Sequence, residues 1–330
     1  MSLPLEDITV LDLSRLVPGA YCTMLLSDLG AKVIKIEEPT RGDYARWLPP
    51  FIGEESYGFL LLNRNKNSMT LNLKAERGRE IFHRLAKTSD VILESFRPGV
   101  VQRLGIDYDT IRNMNPELVY CSITGYGQDG PHRNQPGHDI NYMGMGGVLG
   151  ITLDRHGSPV VPGVQVADTG GALFAVVSIL AALIAREATG VGQYIDVSML
   201  DVVISLLSFR FAWYFAKRRP PKTEEIISSG ALPYYKVYQT RDGKFIALGA
   251  AEGDFWRKLC TKLGREDLIE YQFAKAEKRE EISSFLKDLF LTKARDEWSD
   301  LLKDVCCSPI YTFDEAVSYT HLRAHETVLD

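Results

Sequence analysis

The chain has 330 residues, 45% of them hydrophobic, 25% charged and 10% aromatic, enough apolar surface to bury a large core and to build two domains. A formal net charge of -5 gives no global field that would attract nucleic acid, so an anionic ligand has to meet a local group of Lys and Arg. Cys22, Cys121, Cys260, Cys306 and Cys307 follow neither a metal-ligand spacing nor a disulfide framework, which predicts a reducing cytoplasm and no metal site.

The first residues, MSLPLEDITVLDL, pass directly into a strand pattern, and no export signal is expected. ITVLDL, a glycine-containing helix near 19–29 and AKVIKIE read as strand, helix and strand. A helix near 76–87, the strand DVILES, a helix near 108–114 and the strand LVYCSIT repeat that unit. An α/β fold with a Rossmann-like parallel sheet follows. The stretch 170–185, GGALFAVVSILAALIA, is short for a bilayer span and is bounded by Asp168, Arg186 and Glu187, which predicts a helix buried inside the fold and no membrane contact. GQYIDVSMLD is another strand-to-helix passage, followed by an apolar helix near 202–216 and the charged, proline-containing run KRRPPKTEE of a linker.

Beyond the linker, ALPYYKVYQTRDGKFIALGA alternates around Asp242 and Gly243 as a β-hairpin. Helices near 254–263, 279–291 and 295–304 complete a smaller α+β domain. The expected organisation is a large Rossmann-like domain over 1–216, a linker over 217–228, a small domain over 229–317 and a tail over 318–330. The tail joins the preceding pattern abruptly and reads as either a poorly ordered or a non-native end, so His321 and His325 carry no functional weight.

Three segments combine ionisable residues with glycine-rich surroundings. His138 and Asp139 follow a Gly- and Pro-rich loop in GYGQDGPHRNQPGHDINYMGMGGVLG, where a histidine is either a satisfied loop residue or an acid and base. Asp168, in GVQVADTGGALFAV, stands at the start of the apolar helix, and a carboxylate there is either a cap or a base. Thr169, Gly170 and Gly171 leave the first turn nearly bare, so backbone N–H groups beside the carboxylate could receive an oxyanion. Glu252, in FIALGAAEGDFW, opens a helix and is either a cap or an acid in a mobile loop. Met143, Met145, Val148 and Leu149 read equally as a hydrophobic ligand surface or as core.

Together the motifs LDLSRLVPGAYCTMLLSDLGAKVIKIEEP, GDYARW, LNRNKNSMTLNLK, ESFRPGVVQRLGIDY, SITGYGQDGP, GHDINY, ADTGG and GQYIDVSMLD resemble the class III CoA-transferase (CaiB/BaiF) family, which includes α-methylacyl-CoA racemase. The likeness runs to about Val317. Asp168 matches the aspartate that both branches share, and the racemase branch is similar in having a histidine in GHDINY, here His138, and an acid that orients it, here Glu252. A glycine-rich loop usual in transferases is not found around ISSGALPYY.

The resemblance therefore implies a racemase acting on 2-methylacyl-CoA thioesters in fatty acid metabolism. His138 and Asp168 would remove and return the alpha proton on opposite faces, with Glu252 holding the imidazole. The alternative is a CoA-transferase with Asp168 as nucleophile, and a third reading is a silent CoA-binding scaffold. Coenzyme A enters as part of the substrate, with no prosthetic group. Leu71 and Leu73 would flank the adenine, and Lys74 and Arg103 would meet phosphates. Asp139 and Tyr142 are pocket candidates, and Arg97 belongs to a turn. Several members carry a nucleotide-contacting arginine where this chain has Glu38, which leaves Arg41 or Arg46 to supply the charge. The family forms interlocked homodimers, so a homodimer is implied.

Overall fold

The computed structural model describes residues 2–318 except 155; His321 and His325 lie outside the described residues. The chain divides into two compact units, Met1–Phe211 and Ala212–Asp330. The division falls within the segment predicted as one helix over 202–216, which forms two helices that meet at Leu207, Met199–Leu206 and Ser208–Lys217.

In the first unit the chain runs through β1 (Thr9–Asp12), α1 (Leu16–Asp28) and β2 (Lys32–Glu37). A short ribbon of β3 (Phe51–Ile52) and β4 (Glu55–Ser56) follows, then α2 (Tyr57–Leu62) and β5 (Asn67–Thr70). Next come α3 (Glu76–Ala86), β6 (Val91–Glu94), α4 (Val100–Leu104), α5 (Tyr108–Arg112), β7 (Val119–Thr124) and α6 (Asp139–Met145). The unit ends with α7 (Val166–Thr189), β8 (Tyr194–Ser198), α8 (Met199–Leu206) and the beginning of α9 (Ser208–Lys217).

Six strands form one sheet in the order β5-β2-β1-β6-β7-β8, and all of its pairings are parallel. Counted in chain order these strands stand 3-2-1-4-5-6, so the winding reverses between β1 and β6 and a crevice opens beyond the carboxyl ends of the strands there. Helices cover both faces, which is why β6 (VILE) and β7 (VYCSIT) are buried along their whole length instead of alternating. Successive residues serve opposite faces. Val10, Val33, Val91, Leu93, Cys121 and Ile123 pack with α1 and α7, whereas Leu11, Ile36, Ile92 and Tyr120 pack with Phe82, Ile106 and Ile111.

Helix α7 is long and apolar enough to cross a membrane, but it packs on α1, α6, α8 and β7 through Ala167, Ala172, Ala175, Ile179 and Leu183. It is not buried all round, as the sequence predicted. Leu173, Val177 and Ile184 form an exposed stripe, with Val177 and Ile184 67% and 72% exposed.

The second unit holds a three-stranded antiparallel sheet, β11-β10-β9, made of β9 (Tyr235–Gln239), β10 (Phe245–Gly249) and β11 (Cys307–Pro309). Gly243 takes φ +75° in the predicted hairpin turn, where a side chain would be strained. Helices α10 (Gly253–Lys262), α11 (Ala276–Phe290) and α12 (Arg295–Leu301) enclose Trp256, Phe290 and Trp298, and α13 (Phe313–Ser318) follows.

Candidate active site

A cavity of about 700 Å³ opens where the sheet reverses. Its walls come from the segments after four strands: Leu13 to Arg15 after β1, Glu37 to Tyr44 after β2, Leu71 to Lys74 after β5, and Phe96, Val100 and Arg103 after β6. The four residues predicted to meet the nucleotide, Leu71, Leu73, Lys74 and Arg103, therefore line one space. Leu71 also packs in the core below it.

The cavity rests on a buried charge network. Lys35, 1% exposed, donates to the Ser14 carbonyl at 3.0 Å and pairs with Asp43 at 2.9 Å. Lys66 reaches Asp12 at 3.4 Å and donates to Thr23 Oγ1 and the Ala20 carbonyl. Burial opposes the charge of Asp12, but Lys35 and Lys66 outweigh it and hold this carboxyl below its ordinary range. Burial also pushes the Lys66 amine down to about 8 against the pull of Asp12. The network ties β1, β2 and the segments after them together, and removing one partner from such a set costs about 3–5 kcal/mol.

Arg46, a sequence candidate for a phosphate partner, is occupied otherwise. Its guanidinium donates twice to Glu37, at 2.7 and 2.8 Å, and stacks over Phe59. Burial disfavours the Glu37 charge, yet Arg46, Ser68 and the Asp43 N–H bring that carboxyl down to about 2. Arg41 remains on the cavity wall. Glu38 accepts from the Thr40 hydroxyl and from the backbone N–H groups of Thr40 and Arg41.

The second cluster gathers at α6 and α7. His138 is the residue before α6, exposed, and its backbone N–H donates to Asn141 Oδ1 at 3.0 Å. Asp139, buried at 8% exposure, accepts from the N–H groups of Ala167 and Asp168 at 2.7 and 3.1 Å. Asp139 thus pins the start of α6 against the start of α7, and this pin brings His138 within electrostatic reach of Asp168. Asp168 accepts from Gln165 Nε2 at 3.0 Å. Burial first, and the charge of Asp139 second, push its carboxyl up to about 6, with His138 acting in the opposite sense. Tyr142 closes the corner: its hydroxyl donates to the Gly137 carbonyl at 2.7 Å, and burial pushes it up to about 12. A side chain at Gly125 or Gly137 would collide with the Tyr142 ring, so both glycines are packing requirements.

The first turn of α7 differs from its prediction. The helix begins at Val166, with Gln165 before it, so Asp168 lies inside the turn and is not the cap. The Thr169 N–H already donates to the Gln165 carbonyl at 3.0 Å, and the N–H groups of Ala167 and Asp168 are taken by Asp139. Gly170 and Gly171 therefore do not bare donors for an oxyanion. They let α8 approach: a Cβ on Gly171 would stand 2.8 Å from Met199 Cγ. Periodicity of apolar residues cannot mark the beginning of a helix whose first turn reads VADT, and that is why the prediction started late.

Asp139 was expected among the ligand-contacting residues; its carboxylate instead holds the two helix starts. The only hint in the sequence is an acid next to an apolar run, which calls for buried donors. Met143 belongs to the core, Val148 and Leu149 pack against it, and Met145 is exposed. Glu252 lies in the second unit before α10, exposed, and makes no side-chain cap to that helix. Among the described residues no His, Cys, Asp or Glu group has the arrangement of a metal site.

The model of CoA-transferase family III matches residues 5–330. The chain belongs to this family of enzymes. The CoA-transferase family III match extends beyond the point near Val317 where the motif resemblance ends. Alpha-methylacyl-CoA racemase of Homo sapiens is 36% identical over 326 residues, covering 96% of this chain and 80% of that protein. Succinyl-CoA:glutarate CoA-transferase of Homo sapiens is also 36% identical, over 301 residues, covering 89% of this chain and 68% of that protein. Among solved structures, a CaiB/BaiF family protein from Brucella suis superimposes with a TM-score of 0.86 at 32% identity, over 98% of this chain and 88% of that one. The Brucella suis protein shares the α/β fold, and the names of the two human relatives divide between two reactions.

Proposed function

We propose that the chain is a racemase that interconverts the 2R and 2S forms of 2-methylacyl-CoA thioesters. The observation that carries this reading is the Asp139 pin, which holds His138 within electrostatic reach of Asp168, a carboxyl that burial has pushed up to about 6. Racemisation needs one group on each side of a carbon, each able to act as base for one enantiomer and acid for the other, and groups of similar pKa serve both directions. In one direction deprotonated Asp168 takes the alpha proton, the electron pair moves onto the thioester oxygen as an enolate, and His138 returns a proton to the opposite face. In the other direction the two exchange tasks. The nucleotide half of CoA is assigned to the cavity lined by Leu71, Leu73, Lys74 and Arg103.

A second reading has its own support, since a relative of equal identity is named a CoA-transferase. There Asp168 would attack the thioester carbonyl and expel the CoA thiolate to leave a mixed anhydride, and the thiolate would then attack the aspartyl carbonyl, releasing the acyl group as its carboxylate and giving an aspartyl-CoA thioester. Incubation of a chiral 2-methylacyl-CoA in deuterated water without an acceptor acid separates the two. Label at the alpha carbon with loss of optical purity is expected; absence of label there, with CoA transfer once a carboxylate acceptor is added, would give the assignment to the transferase.

The proposal includes a homodimer. The exposed stripe Leu173, Val177 and Ile184 on α7 supports it, because an apolar stripe of this kind gains by being covered.

A further inference from the structure

The cavity at the sheet reversal carries an electrostatic asymmetry that the predicted ligand residues do not account for. Its carboxylates are all engaged: Glu37 by Arg46, Asp43 by Lys35, and Glu38 by the N–H groups of its own loop. Its cations are less fully matched. Among the described residues Arg15, Arg41, Lys74 and Arg103 line the cavity, and none of them forms a close ion pair with a carboxylate, although the charge of Arg15 also acts on Glu38. A recess with satisfied acids and an excess of cations favours an anion.

Arg15 is the best prepared of the four. It is half-buried, its guanidinium lies 5.0 Å from the Tyr44 ring centre and 5.8 Å from that of Phe96, and Nη1 donates to the Tyr44 hydroxyl at 2.9 Å. Aromatic neighbours of this kind fix the plane of an arginine while its other donors stay available. The backbone that presents it is held just as firmly. Three consecutive N–H groups are taken by side chains: Ser14 by Asp12 at 2.9 Å, Arg15 by Ser95 at 3.1 Å and Leu16 by Asp43 at 3.1 Å. Leu16 itself is forced to φ +60°, a region that a leucine enters only when its surroundings require it. The buried network of Asp12, Lys35 and Asp43 is what requires it. The turn after β1 is thus a strained, over-determined mount with Arg15 on it.

We infer that Arg15 is a binding and specificity residue for a phosphate of the CoA nucleotide, doing here what Glu38 in its position cannot. The inference rests on the reading of this cavity as the CoA site. Glu38 serves as the latch of the loop 38–41, and the charge for the phosphate comes from the β1 turn.

The test measures binding of free CoA and of pantetheine, which lacks the nucleotide phosphates, to the full chain and to Arg15→Gln and Arg15→Lys, by direct and competitive calorimetry. The parent chain is expected to prefer CoA strongly. Arg15→Gln should weaken CoA about tenfold or more, the loss of a charge-assisted pair, leave pantetheine unchanged and flatten the salt dependence. Arg15→Lys should recover part of the affinity, because charge returns without the planar fork. Unchanged CoA affinity in Arg15→Gln would overturn the inference, and so would an equal loss for CoA and pantetheine, which marks a merely structural residue. Failure of the parent chain to bind CoA would instead remove the cavity reading itself.

Discussion

The cavity at the sheet reversal and the corner of His138 and Asp168 are built by opposite means. The cavity is mounted on buried ion pairs, with Lys35 and Lys66 neutralising Asp12 and Asp43 beneath its floor, and its rim displays charge to solvent. The corner is held by one buried carboxylate, Asp139, that accepts from two helix-start N–H groups, and burial raises the carboxyl next to it, Asp168, to about 6. Paired charge supplies rigidity in the first region, and a single carboxylate bonded to backbone N–H groups supplies it in the second. The difference teaches that acids in this protein cannot be sorted by sequence surroundings: Asp12, Asp139 and Asp168 all lie beside apolar residues, yet the first joins an ion-pair network, the second holds two helix starts and the third has its carboxyl raised to about 6.

Substitutions in the two regions should therefore fail differently. Asp168→Asn is expected to reduce alpha-proton exchange on the order of a thousandfold, with CoA affinity and melting temperature near those of the parent; exchange kinetics and calorimetry on the same preparation decide it. Lys35→Met should strike stability first. It leaves Asp12 and Asp43 without their shared cation, at about 3–5 kcal/mol, read as a lower urea midpoint, while the protein that stays folded keeps its exchange rate. A Lys35→Met protein as stable as the parent would show that the network is decorative.

The corner allows a finer test through pH. A carboxyl raised to about 6 is protonated below that pH and cannot act as base, so exchange driven by Asp168 should rise as pH climbs through about 6. The negative charge of Asp139 is one cause of the elevation, after burial, so Asp139→Asn should move this limb to lower pH while the amide oxygen still accepts from the helix starts. Asp139→Ala removes the pin as well and is expected to cut the exchange rate about a hundredfold and to cost about 1–3 kcal/mol for the stranded N–H groups. A limb that stays put in Asp139→Asn would show that burial alone sets it. The smallest effect belongs to Gly171→Ala, whose Cβ must push the end of Met199 aside. A loss of about 1 kcal/mol by thermal melting with unchanged kinetics would confirm that this glycine packs helices and does not expose donors.

Much of the fold was legible before the structure. Unbroken apolar strands such as VILE and VYCSIT can only lie in a sheet covered on both faces, and the Asp242-Gly243 turn announces its hairpin. Element ends were less so, because the first turn of α7 and the break at Leu207 carry no period. The cavity wall was legible where it lies on one stretch, as in Leu71 to Lys74, and illegible where it depends on strands that are distant in sequence.

Sequence by itself determined the family and the parallel sheet, since these reside in local pattern and in motifs whose joint order is specific, and it nominated the pair His138 and Asp168 that we propose as reactive. Only the tertiary structure decided which charges remain for a ligand. Arg46 and Arg15 are both arginines in glycine-containing segments, yet one is consumed by Glu37 and the other stands between two aromatic rings at the cavity wall. Availability of a charge depends on which opposite charge folding brings within reach, and that is a property of three dimensions.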